Sequence, residues 1–129
     1  MKPPLNSDED KAALWAGIAD ETIDLIETDH APHLQNEGKL GVPGLETALG
    51  LMGLAIHDGR LTINDVIKLM HLNPKRIFNI PDQSDAYIEV NFDSSYTIGG
   101  PYETKCGWSP FEGWELYGKI TARHFNKSV

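Results

Sequence analysis

The segment Thr28-Asp29-His30-Ala31-Pro32-His33 places one aspartate and two histidines within a few positions of each other. A carboxylate beside imidazoles can bind zinc through oxygen or act as a general base. Pro32 restrains the backbone and offers no N–H, which helps hold His33 in a fixed direction. The same residues also suit a purely structural role, as a polar turn with His33 capping a nearby group. A zinc site takes three or four ligands in most cases. Asp29, His30 and His33 are neighbours, His57, His71 and His124 are scattered, and no His-x-His is present. The spacing therefore predicts no complete catalytic zinc site within the chain.

Other reactive side chains have plainer readings. His57 and His71 fall at the ends of expected helices, where a cation suits the carbonyl-rich terminus better than it suits a metal. Cys106 has no apparent base beside it and reads as a small buried hydrophobe. Trp108 and Trp114 flank Ser109-Pro110-Phe111-Glu112-Gly113, where packing in a core or interface outweighs a ligand cage. The stretch from Gly41 to Gly44 lacks the full phosphate-loop pattern.

The elements that must position Asp29 follow from capping and periodicity. Ser7 with Asp10 resembles a helix cap and its acidic partner, and Ala12, Trp15, Ile18 and Ala19 recur at helical spacing. Thr22 to Thr28 is a short β-branched stretch that reads as a strand ending at Asp29. Gly44 to His57 reads as an apolar helix with Leu45, Ala48, Leu49, Met52 and Ala55 on one side. Thr62 with Asp65 opens another helix through Val66, Ile67, Leu69 and Met70. Asn73-Pro74 starts a short one, with Asn as cap and Pro at the first position. From Ala86 the pattern turns to strands, at Tyr87–Phe92, Tyr96–Ile98 and Gly118–Phe125. A strand followed by a helix is the unit of parallel sheets and barrels, and in a barrel Asp29 would sit on the face where active sites lie. A closed barrel needs about 250 residues, so these elements make either a small α+β protein or a piece of something larger. The opening Met1-Lys2-Pro3-Pro4-Leu5 reads like the interior of a longer chain with a methionine placed before it.

The 129 residues suffice for one ordinary domain, and 40% hydrophobic with 23% charged residues permit a packed core. A formal net charge of −8 repels a phosphate backbone, and no Lys/Arg cluster offsets it. No apolar run approaches the roughly 20 residues that span a bilayer. Nothing at the start resembles a signal peptide. A single cysteine excludes an internal disulfide framework and fits a reducing cytoplasm.

Several segments together resemble one family. Thr28 to His33 is similar to the signature at the end of the eighth barrel strand of dihydroorotases. Gly41-Val42-Pro43-Gly44-Leu45-Glu46-Thr47 is similar to the loop and helix start that follow it there. Asn73-Pro74-Lys75-Arg76-Ile77-Phe78 and Trp108-Ser109-Pro110-Phe111-Glu112-Gly113 match later landmarks in the same order. Lys2-Pro3-Pro4-Leu5 resembles the segment after the seventh strand. The wording from Ile80 to Val90 is most like the dihydroorotase domain of the animal multifunctional pyrimidine protein and its bacterial relatives.

The resemblance implies an α/β fold: the C-terminal portion of a metal-dependent (β/α)8 barrel, with residues 1–80 forming its last β/α units and following helices. Residues 81–129 would belong to a small composite β-domain. It implies reversible cyclisation of N-carbamoyl-L-aspartate to L-dihydroorotate at a binuclear zinc site. Asp29 then matches a zinc ligand and proton shuttle, and His33 a contact to the substrate carboxylate. Leu40 and Gly41 match backbone contacts to substrate. Lys2 stands where many members have a substrate-touching asparagine, and Asn6 replaces a frequent arginine. His30 is expected to give outer support to the site. The paired histidines, the carboxylated lysine and the later histidine ligands of the family have no counterparts here, so the chain by itself is expected to be inactive. Expected associations are aspartate transcarbamoylase and further copies of the parent. The alternatives are a non-catalytic dihydroorotase-like partner of aspartate transcarbamoylase, or another cyclic-amide hydrolase such as a hydantoinase or allantoinase.

Overall fold

The computed structural model describes residue 4, residues 7–83 and residues 85–125. Helix α1 spans Asp8–Ala19, α2 Ala48–His57, α3 Ile63–Ile67 and α4 Asn73–Ile77, and strands β1 and β2 span Tyr87–Thr97 and Glu115–His124. A short 3-10 turn covers Gln35–Glu37, and a π-helical turn, Lys68–Leu72, joins α3 to α4.

The helix starts follow local chemistry. Ser7 Oγ accepts from the Asp10 amide at 3.2 Å, while Asp10 accepts from the Ser7 amide at 3.1 Å. Thr62 and Asp65 repeat this reciprocal cap at the start of α3, at 3.2 and 2.7 Å. Each cap satisfies amides that an isolated helix end leaves without partners. Asn73 departs from its expected role. The π-helical turn runs directly into α4, so Asn73 is itself helical, with φ −67° and ψ −47°. No cap is needed there, and its side-chain amide donates instead to the Asp24 carbonyl at 2.6 Å.

The strand expected at 22–28 does not form. A strand needs a neighbour to complete its ladder, and the sheet of the described residues contains β1 and β2 alone. The segment is pinned at points instead. Ile23 donates to the Gly17 carbonyl at 2.8 Å and Ile26 to the Leu69 carbonyl at 3.2 Å. Trp15, Ile18 and Ile26 pack against a core of Ala55, Leu61, Val66 and Leu69.

The other end is a two-stranded antiparallel sheet covered by α2. The pairing runs from Tyr87 opposite His124 to Thr97 opposite Glu115. The two strands expected at 87–92 and 96–98 are one, because an irregularity in register between Asn91 and Ser95 absorbs the interruption. The loop after β1 is closed by Ile98 donating to the Trp114 carbonyl and Gly113 donating to the Ile98 carbonyl, at 2.9 and 2.8 Å. Helix α2 begins at Ala48 rather than Gly44, after a turn in which Thr47 and Ala48 both donate to the Gly44 carbonyl. Its small residues face the sheet, and a Cβ at Gly53 would collide with the Tyr117 carbonyl. Leu116 lies fully buried beneath it. Thus α2 covers the β-hairpin, while Leu14, Leu45, Ile67 and Phe78 remain exposed.

Candidate active site

Residues 28–47 form a loop that doubles back before α2. Ala31 donates to the Val42 carbonyl at 3.0 Å, which brings its two arms together. Gly41 lies at φ +100°, and a Cβ there would come within 2.6 Å of the Ala31 side chain. That crossing therefore requires glycine. Leu40, beside it, is exposed.

Asp29 has φ +43°, in the left-handed region that aspartate tolerates better than most residues. Its amide donates to the Glu27 carboxylate at 2.9 Å. Its own carboxylate is exposed and makes no hydrogen bond or ion pair among the described residues. It is thus available to an incoming group.

His30 faces the other way. Its Nδ1 accepts from the Gly44 and Leu45 amides at 3.0 and 3.2 Å. An accepting Nδ1 puts the ring proton on Nε2. The imidazole ties the Asp29 turn to the chain entering α2. His33 is half-buried, with Nε2 3.2 Å from the Gly41 carbonyl and Nδ1 3.2 Å from the Leu34 carbonyl. Carbonyls only accept, so a neutral His33 ring donates to one of them and an imidazolium to both. Pro32, His33, Leu34, Lys39, Lys105 and Cys106 border an open groove.

The remaining histidines lie elsewhere. His57 ends α2 and stacks on Tyr117, with ring centroids 3.9 Å apart. His124 on β2 stacks on Tyr87 at 4.2 Å and meets the Glu89 carboxylate at 2.8 Å. His71 sits in the π-helical turn. Among the described residues no group of three or more His, Cys, Asp or Glu side chains could hold a metal ion. Lys2 lies outside the described residues.

Two residues brace this loop: Glu46, to which the sequence assigns no role, and Trp108, expected from the sequence only as a packing residue. Glu46 accepts from the Thr104 amide at 2.7 Å and the Glu103 amide at 3.0 Å. Burial alone would raise its pKa, but the hydrogen bonds from Thr104 and Glu103 outweigh this and hold the carboxyl below its ordinary range. The Trp108 indole N–H donates to the His33 carbonyl at 2.8 Å, with the two rings 6.1 Å apart. Sequence spacing holds no signal for either contact, because the partners are 57, 58 and 75 positions apart.

This arrangement has relatives. The multifunctional protein pyr1-3 of Dictyostelium discoideum is 48% identical over 126 residues, which cover 93% of this chain and 6% of that protein. A dihydroorotase of Pyrococcus furiosus is 37% identical over 131 residues, covering 92% of this chain and 30% of that enzyme. The chain is a relative of the dihydroorotases. Among solved structures, the inactive dihydroorotase-like domain of a Chaetomium thermophilum CAD-like multifunctional protein superposes with a TM-score of 0.79. At 32% identity, that match covers 97% of this chain and 36% of the other. No protein-family model matches the chain. The chain thus spans 6% to 30% of the length of these curated relatives. Among the described residues, its mixture of helices with a two-stranded sheet resembles a portion of the Chaetomium thermophilum dihydroorotase-like domain. No helix among the described residues is long and apolar enough to cross a membrane.

Proposed function

We propose that this chain is the C-terminal portion of a zinc-dependent dihydroorotase that interconverts N-carbamoyl-L-aspartate and L-dihydroorotate in the cytoplasm. In this reading residues 1–80 complete a (β/α)8 barrel and residues 81–129 join a composite β-domain. The observation that carries it is the Asp29 turn. Asp29 has an exposed carboxylate with no hydrogen bond or ion pair among the described residues, on a loop braced by His30, Trp108 and Glu46.

The donor chemistry fits one zinc ligand from this chain. Asp29 offers carboxylate oxygens with no partner among the described residues, whereas both His33 nitrogens already face carbonyls and His30 Nδ1 faces amides. The other ligands would come from other parts of the parent protein. Zinc, when bound, supplies Lewis acidity at the scissile carbonyl. Asp29 takes a proton from the attacking water and returns it to the ring nitrogen as the C–N bond breaks. In this reading the backbone at Leu40 and Gly41 and the His33 ring hold the substrate, one His33 N–H exchanging its carbonyl partner for the substrate carboxylate. Lys2 would meet the same anion from the preceding segment. Aspartate transcarbamoylase and further copies of the parent are the expected partners.

A second reading has its own support. The Chaetomium thermophilum neighbour is described as inactive. In that reading the parent is a structural partner of aspartate transcarbamoylase that has lost its upstream zinc ligands. Turnover of dihydroorotate, hydantoin and allantoin by the full-length protein separates the possibilities. Dihydroorotate is expected to be opened fastest, with the rate lost on zinc removal and regained on its return. Faster opening of hydantoin or allantoin would reassign the substrate. No turnover of any of the three would favour the structural partner.

A further inference from the structure

The loop that carries Asp29 and His33 is attached to the segment between β1 and β2 at two places. At one, the Glu46 carboxylate spans two consecutive amides, Glu103 and Thr104, with one oxygen on each. At the other, the Trp108 indole N–H holds the His33 carbonyl at 2.8 Å. Between them the chain is compact: the Gly107 amide donates to the Thr104 carbonyl at 3.0 Å, and Cys106 is buried. Displacing residues 103–104 therefore displaces Trp108, and with it the backbone of His33. Glu46 also lies two positions beyond Gly44, whose amide fixes the His30 ring. A carboxylate that receives two backbone N–H groups makes stronger and more directional bonds than neutral acceptors do.

We propose that Glu46 is a positioning residue for substrate binding, acting through residues 103–108 and Trp108 on His33. The proposal rests on the dihydroorotase reading for its kinetic consequence, but not for its structural one. Glu46 touches neither Asp29 nor substrate in this account. Its removal frees His33 to move while leaving the proton shuttle in place. Substrate affinity is therefore lost in preference to the chemical step.

The test uses the full-length protein with Glu46→Ala, Glu46→Gln, Trp108→Phe and the Glu46→Ala/Trp108→Phe pair. Amide hydrogen exchange is followed in peptides spanning residues 28–41 and 101–108, alongside kcat and KM for dihydroorotate. Glu46→Ala is expected to speed exchange in both peptides and to raise KM about tenfold, the size expected for losing charge-assisted hydrogen bonds. The value of kcat should stay within about threefold, because no group in contact with the reacting atoms is changed. Glu46→Gln keeps one accepting oxygen and should fall between the two, which also serves if Glu46→Ala folds poorly. The effects of Glu46→Ala and Trp108→Phe on KM should be less than additive, since both break one path. Unchanged exchange over residues 28–41 would overturn the clamp. Faster exchange with an unmoved KM, or fully additive KM effects, would overturn its role in binding. If the wild-type parent does not open dihydroorotate, the functional reading fails, and the exchange comparison still decides whether the clamp exists.

Discussion

Residues 28–47 combine a few backbone bonds, such as Ala31 to the Val42 carbonyl, with side chains on backbone groups, whereas the β1–β2 hairpin is shaped by a continuous backbone ladder. His30 bonds amides across the loop, while Trp108 and Glu46 tie the loop to the segment between β1 and β2. In the hairpin, paired amides and carbonyls repeat from Tyr87–His124 to Thr97–Glu115, and α2 seals one face over the fully buried Leu116. The first arrangement exposes a carboxylate at Asp29 and leaves room for a ligand. The second buries apolar surface and creates rigidity. A ladder tolerates replacement of most outward side chains, since its bonds are in the backbone. A loop that also depends on particular side-chain bonds is more sensitive to their replacement.

The largest effect expected on this contrast comes from the hairpin side. Leu116→Ala removes a side chain with 0% exposure and should cost about 2–5 kcal/mol of stability. Denaturant unfolding of the full-length protein measures it. The folded fraction should keep its KM for dihydroorotate, and a raised KM in that fraction would mean the layer and the loop are not separate. The loop side gives a smaller loss of stability with a functional signature. Gly41→Ala places a methyl within 2.6 Å of Ala31 at φ +100° and should cost about 1–3 kcal/mol. Here KM is expected to rise with the loss of stability. If stability falls and KM does not, the crossing of the two loop arms has no part in binding.

The same contrast explains what could be read from residue order. The caps at Ser7–Asp10 and Thr62–Asp65 are complete within four residues, so their partners are visible in sequence, and both form as expected. The stretch 22–28 carries strand-like residues but forms no strand, because a ladder depends on a neighbour that these residues do not specify. Asn73 has a cap's chemistry but not its circumstance, since helical backbone already precedes it. The break expected between Phe92 and Tyr96 is taken up by a register irregularity that no local pattern encodes. At the site, the motif from Thr28 to His33 was legible as chemistry. The attachments of Glu46 and Trp108 were not, because each joins residues more than fifty positions apart.

Asp29→Asn in the full-length protein tests the central claim most directly. Asparagine tolerates the left-handed backbone at φ +43° and preserves the side chain's shape, so the change isolates the loss of charge and basicity. The rate of dihydroorotate ring opening should fall by about a thousandfold or more, on the scale of removing a general acid–base group. The melting temperature should stay close to wild type. A variant that folds normally and opens dihydroorotate at near wild-type rate would contradict the assignment of Asp29 as proton shuttle.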